Sequence, residues 1–106
     1  MPGVARSAGI DEVYSPHGTG DDCDDETLQA TAAGSTDVFV NGTGVVTFGD
    51  AMTEHPNAGT CDANSSLLDA GSSTVLVNGK GVGRLGDTYG TVHVISTGSL
   101  NVIAGG

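Results

Sequence analysis

The sequence predicts an all-β fold of three β-hairpin units related by pseudo-threefold symmetry. A glycine-rich phrase recurs, each copy centres on an Asn-Gly turn, and no stretch carries helical spacing with caps. Residues 34–50 read GSTDVFVNGTGVVTFGD and residues 71–87 read GSSTVLVNGKGVGRLGD; they align without a gap. Internal repetition of this kind sets the architecture before any local propensity does. Glycine is 18 of 106 residues and the aromatic fraction is 4%. A large layered enzyme core is excluded; a thin β structure held by some additional staple is expected. The length fits one domain, residues 1–106.

Each hairpin follows from local chemistry. Val38-Phe39-Val40 and Val45 to Phe48 flank Asn41-Gly42-Thr43-Gly44, and Val75-Leu76-Val77 and Val82 to Leu85 flank Asn78-Gly79-Lys80-Gly81. Asn-Gly between apolar β runs is a strong hairpin signal because both residues tolerate positive φ. The third unit is split between the chain ends. Gly98-Ser99 and Val102-Ile103 match the first half of the phrase, and Gly3-Val4-Ala5-Arg6 matches the second. Pairing the two termini would close a ring and remove open strand edges. Segments 12–33, 51–70 and 88–97 read as polar loops between units, with at most a short turn over 27–33.

Charge restricts the partners. Three basic residues (Arg6, Lys80 and Arg84) face thirteen acidic ones, a net charge of −10. This excludes nucleic-acid binding, which needs cationic surface, and disfavours anionic membranes. The apolar runs are too short to span a bilayer, and the first residues lack a signal-peptide core. Synthesis in the cytoplasm is expected.

The histidines track the repeat. His17 is six residues after Asp11, His55 five after Asp50, and His93 six after Asp87. In a threefold ring such positions surround the axis, which offers three imidazoles to a transition metal. Cys23 and Cys61 each lie six residues after a histidine. Three His and one Cys would close a tetrahedral structural zinc site. Cys61 is the favoured fourth ligand, since Cys23 sits in the acidic run Asp21-Asp22-Cys23-Asp24-Asp25-Glu26. A Cys23–Cys61 disulfide or a free thiol remains open as an alternative. Structural zinc contributes about 10–16 kcal/mol in small peptides, enough to serve as the staple. The acidic run lacks the alternating ligands and placed glycine of a calcium loop. No nucleophile–base–acid constellation is visible, so no enzymatic activity is expected.

The phrase Gly-Ser-x-x-Val-x-Val-Asn-Gly-x-Gly-Val-x-Arg-x-Gly-Asp resembles the PAAR-repeat family over nearly the whole chain, with 19–33 and 56–70 matching least. Gly3, Gly44 and Gly81 stand where the motif proline would be; Arg6 and Arg84 keep its arginine, and Thr47 does not. The resemblance implies a small conical β fold with zinc near the apex, bound by His17, His55, His93 and a cysteine, taken as Cys61. It implies a spike tip, monomeric by itself, that caps the trimeric β-helix spike of a contractile injection machine. There it would sharpen the spike for puncture of a target outer membrane. The length of the sequence leaves no room for an effector domain and favours a phage tail, hence a virion location, over a type VI secretion tip that recruits effectors. A zinc hydrolase with an open metal position and a calcium-bound adhesion module are the expectations from other classes.

Overall fold

In a computed structural model, the described residues are 2–14, 28–53, 55–56, 63–64, 66–90 and 93–106. Their regular structure is all β, and every strand pair is antiparallel. Ten short strands follow in chain order: β1 (Glu12–Tyr14), β2 (Leu28–Ala30), β3 (Phe39–Val40), β4 (Thr43–Gly44), β5 (His55–Pro56), β6 (Ala63–Asn64), β7 (Leu76–Val77), β8 (Lys80–Gly81), β9 (Thr88–Tyr89) and β10 (His93–Ile95). The dimensions are 40 × 23 × 22 Å, with two short axes nearly equal.

The two Asn-Gly hairpins form as the sequence predicts. β3 pairs with β4 and β7 with β8. Asn41 and Asn78 both take φ 54°, and the glycines that follow them take 83° and 80°. The turn residues thus adopt the left-handed region that Asn and Gly tolerate best. A serine opens each unit. Ser35 Oγ accepts from the amides of Asp37 and Val38, Ser72 Oγ from those of Thr74 and Val75, and Ser99 Oγ from those of Asn101 and Val102. The Gly-Ser of the repeat therefore sets the bend into each hairpin, including the one built at the C-terminal end.

The units join in a closed ring. The isolated bridges run Arg6 to Val45, Thr47 to Val82, and Arg84 to Val4. At its centre the Val46 amide donates to Ala5 (3.0 Å), the Gly83 amide to Val46 (2.7 Å), and the Ala5 amide to Gly83 (2.8 Å). A second cycle lies beside it, with Ser7 donating to Gly44, Phe48 to Gly81, and Leu85 to Gly3. Gly3 also bridges Ile103, so the two chain ends meet as one unit.

The segments between the hairpins, expected as polar loops, contain a second layer of strands. β2, β1, β10 and β9 form one sheet. Bridges Leu68–Tyr89, Ala51–Leu67 and Thr31–Met52 carry the pairing onward until it returns to the end of β2. Six segments thus close a second ring. Its inner face holds Val13, Met52, Tyr89, Thr31, Leu68 and Ile95, all buried. Each arm contributes only one or two such residues, too few to give a period-2 pattern. That is why 27–33 read as a turn although it contains β2.

The hairpin layer has its own core. Val4, Val45, Val77, Val82 and Ala104 cluster inside the hairpin layer. Phe39, Leu76 and Ile103, at equivalent hairpin positions, instead face outward at 59%, 57% and 54% exposure. Side chains alternate along a strand, so pointing Val40 and Val77 inward turns Phe39 and Leu76 to solvent.

Packing decides three of the glycines. A Cβ on Gly3, Gly44 or Gly81 would collide with the carbonyl oxygen of Ser99, Ser35 or Ser72, respectively. This close approach of backbone to backbone requires glycine at the same place in all three units. Nothing lies near a Cβ on Gly42, whose only demand is its positive φ. Gly44→Ala is expected to cost about 2–3 kcal/mol through the backbone shift it forces. Gly42→Ala is expected to cost about 1–2 kcal/mol from the left-handed backbone alone. Denaturant unfolding of both variants checks the order; Gly42→Ala being the more damaging would contradict this packing.

Candidate metal centre

Two of the predicted ligands, His55 and His93, lie on the segments that lead into and out of the second ring, its arms. His93 opens β10 and is paired with Tyr89 of β9. It is 2% exposed, which makes it a donor already withdrawn from water. His55 opens β5 opposite Asn64 of β6. The two histidines occupy opposite arms: His55 lies on the outgoing arm of its unit and His93 on the returning arm. His93 is level with Tyr89, whereas His55 lies three residues beyond Met52, the counterpart of Tyr89. The connection between β9 and β10 is shorter than those between β1 and β2 and between β5 and β6, and this puts His93 beyond its turn rather than before it.

His17, Cys23 and Cys61 lie outside the described residues, as does the acidic run 21–26. In the sequence His17 and Cys23 fall between β1 and β2, and Cys61 between β5 and β6. β1 reaches its end at Tyr14 opposite Val94, the residue next to His93. Among the described residues no group of three or more His, Cys, Asp or Glu side chains is placed to hold a metal. Chemically the set would suit zinc: three imidazoles and a thiolate would make a closed tetrahedral shell, to which buried His93 would bring one donor. When bound, the ion would tie the arms to one another in addition to the buried residues that line the second ring.

Three carboxylates organise the ring, a role that sequence reading missed. Asp11, Asp50 and Asp87 occupy equivalent positions. Each accepts the backbone amide of the ring residue before it: Arg6 at 2.6 Å, Thr47 at 2.8 Å and Arg84 at 2.9 Å. Arg6 adds a bidentate guanidinium contact to Asp11, with Nε at 2.9 Å and Nη2 at 3.0 Å. Arg84 does the same with Asp87 at 2.9 and 3.1 Å. Thr47 offers only its hydroxyl to Asp50, at 2.9 Å. The N-terminal unit inserts residues before Asp11, yet a turn through Ala8 (φ 56°) and Gly9 (φ 77°) restores its aspartate to the shared position. The repeated Gly-Asp ending was the available signal for this role.

Burial pushes the Asp11 carboxyl up, but the hydrogen bonds from Arg6 and Thr97 outweigh it and hold the group below its ordinary range. A lowered folded value means that ionised Asp11 stabilises the fold above the unfolded value of about 3.9. That contribution is lost as pH falls through the lower folded value. Tyr89 differs. Its ring is fully buried, and its hydroxyl has no hydrogen-bond partner among the described residues. Burial, then the nearby Asp50 charge, pushes its pKa up, so it stays protonated.

Asp11→Asn is expected to lower stability at pH 7 by about 2 kcal/mol, the scale of a charge-assisted pair. Its deficit relative to wild type should begin to shrink as pH falls below about 4, where the unfolded carboxyl takes up its proton, and should vanish below the lower folded value. Thermal melts at several pH values check both points. Tyr89→Phe removes an unpaired buried hydroxyl and is expected to leave the melting temperature unchanged or raised; a fall of several degrees would show that the hydroxyl is paired. No protein-family model and no characterised protein matches this chain.

Proposed function

We propose that the chain is a structural spike tip that caps a trimeric β-helix spike, of the kind carried by contractile injection machines, with one structural zinc ion in the arms. The observation that carries this reading is the closed cycle Ala5–Gly83–Val46, which gives one chain three nearly equivalent sides. A pseudo-threefold monomer can seat on a true threefold trimer, each side meeting one subunit. Phe39, Leu76 and Ile103 support the same reading, because they present three symmetry-related apolar side chains at the hairpin layer. An apolar set of this kind suits a protein interface. The conical shape belongs to this reading: the broad hairpin layer is the base, and the arms that carry His55 and His93 are the narrow end. The task is mechanical and involves no turnover. A phage tail tip on a virion is preferred to a type VI secretion tip.

Zinc would be held by His17, His55, His93 and Cys61. Metal analysis of the purified chain is expected to give about one transition-metal ion per molecule. Alanine at each histidine should lower both metal content and melting temperature. Cys61→Ser should do so more than Cys23→Ser. Unchanged metal content in all three histidine variants would refute the site. For the partner, mixing with a trimeric spike should give one chain per trimer by light scattering; a 3:3 complex would overturn the capping reading.

A further inference from the structure

The ring carries three equivalent aspartate sites, and only two are filled by an arginine. At the first, Arg6 grips both oxygens of Asp11 and reaches Asn41 Oδ1 through Nη1 at 3.4 Å. At another, Arg84 grips both oxygens of Asp87 and reaches the Gly105 carbonyl through Nη1 at 3.0 Å. The remaining unit has Thr47. Its amide and hydroxyl both donate to Oδ2 of Asp50. Oδ1 of Asp50 accepts no hydrogen bond among the described residues. Asn78 stands where Asn41 and Gly105 stand in the sister sites. Where the guanidinium would lie there is a cleft of about 190 Å³, lined by Thr47, Asp50, Asp37, Asn78 and Lys80 among others.

We propose that this cleft binds a guanidinium group supplied from outside the chain. The two sister sites show what such residues hold: a carboxylate for a bidentate fork and an amide-type oxygen for the third nitrogen. Both acceptors are in place at Asp50 and Asn78, and the space is open. Asp37 adds a second carboxylate. Its oxygens accept from Asn78 Nδ2 at 3.0 and 3.3 Å, which orients the Asn78 amide and leaves its oxygen for a donor. Lys80 is the one competitor in the cleft. It forms no ion pair among the described residues, and an ammonium is a point charge that cannot supply a planar fork.

The test uses the intact chain at constant ionic strength. Ethylguanidinium and ethylammonium are titrated while the backbone amide resonances of Thr47, Asp50 and Asn78 are followed. Saturable shifts are expected with ethylguanidinium and at least tenfold weaker binding of ethylammonium. Equal binding of the two would overturn the assignment, as would no saturable shift. Thr47→Arg should fill the cleft from within, weaken ethylguanidinium binding at least tenfold and raise the melting temperature. Asp50→Asn should weaken binding at least tenfold without filling the space, and it decides the matter if Thr47→Arg misfolds. Binding that persists in both variants would overturn the proposal. A capped Gly-Arg-Gly peptide separates the sources: binding of both ligands admits an arginine of a partner protein, and binding of ethylguanidinium alone assigns the site to a small free guanidinium compound.

Discussion

Everything in this fold depends on three backbone hydrogen bonds that close on themselves through Ala5, Val46 and Gly83. A strand in an ordinary sheet leaves an edge, and a chain this poor in large apolar residues has little to cover one with. Closing the pairing into a triangle removes that liability at the smallest possible size. The constraint then propagates outward. Only small or β-branched residues fit at the centre, so Ala5, Val46 and Gly83 occupy it. Serine carbonyls press against the neighbouring strand, so Gly3, Gly44 and Gly81 cannot carry a Cβ. The carboxylates of Asp11, Asp50 and Asp87 satisfy the ring amides that no strand reaches.

The hairpin layer was legible in the sequence because its signals are local. Asn-Gly at 41–42 and 78–79 dictates a turn wherever it sits between valines, and the repeat itself announces how many times the turn occurs. The split third unit was legible for the same reason. The arms were not. β1, β9 and β10 are two or three residues long and bring only Val13, Tyr89, His93 and Ile95 to the interior, while Thr31, Met52 and Leu68 enter from isolated bridges. Their strand character comes from neighbours distant in sequence, as in the Glu12–Ala30 and Val13–Ile95 pairs. Local propensity carries no trace of such pairing.

Of the predicted ligands only His55 and His93 fall among the described residues, and the histidine offsets did not foresee that these two occupy opposite arms. The offsets count residues along the chain, whereas position in the ring depends on how many of them each turn consumes. The aspartates were overlooked as chemistry because Gly-Asp reads as a turn ending. Their role became visible only when Arg6 and Arg84 were seen to fold back onto them. These pairs commit two of the three basic residues to internal carboxylates, which leaves Lys80 alone on the cleft.

The union of the two chain ends has a kinetic meaning. The Val4 amide donates to Val102, and the Ser99 amide to Val4. The third side of the triangle therefore exists only once residues nearly a full chain length apart have met. Few local contacts can reward the chain before that, since each hairpin is only two residue pairs long. A topology dominated by such distant pairings folds on the slow side for its size, on the order of milliseconds to seconds. It also unfolds as a unit, because losing either end opens the triangle and exposes the edges of the other two sides. A small object built this way holds its shape until it loses all of it.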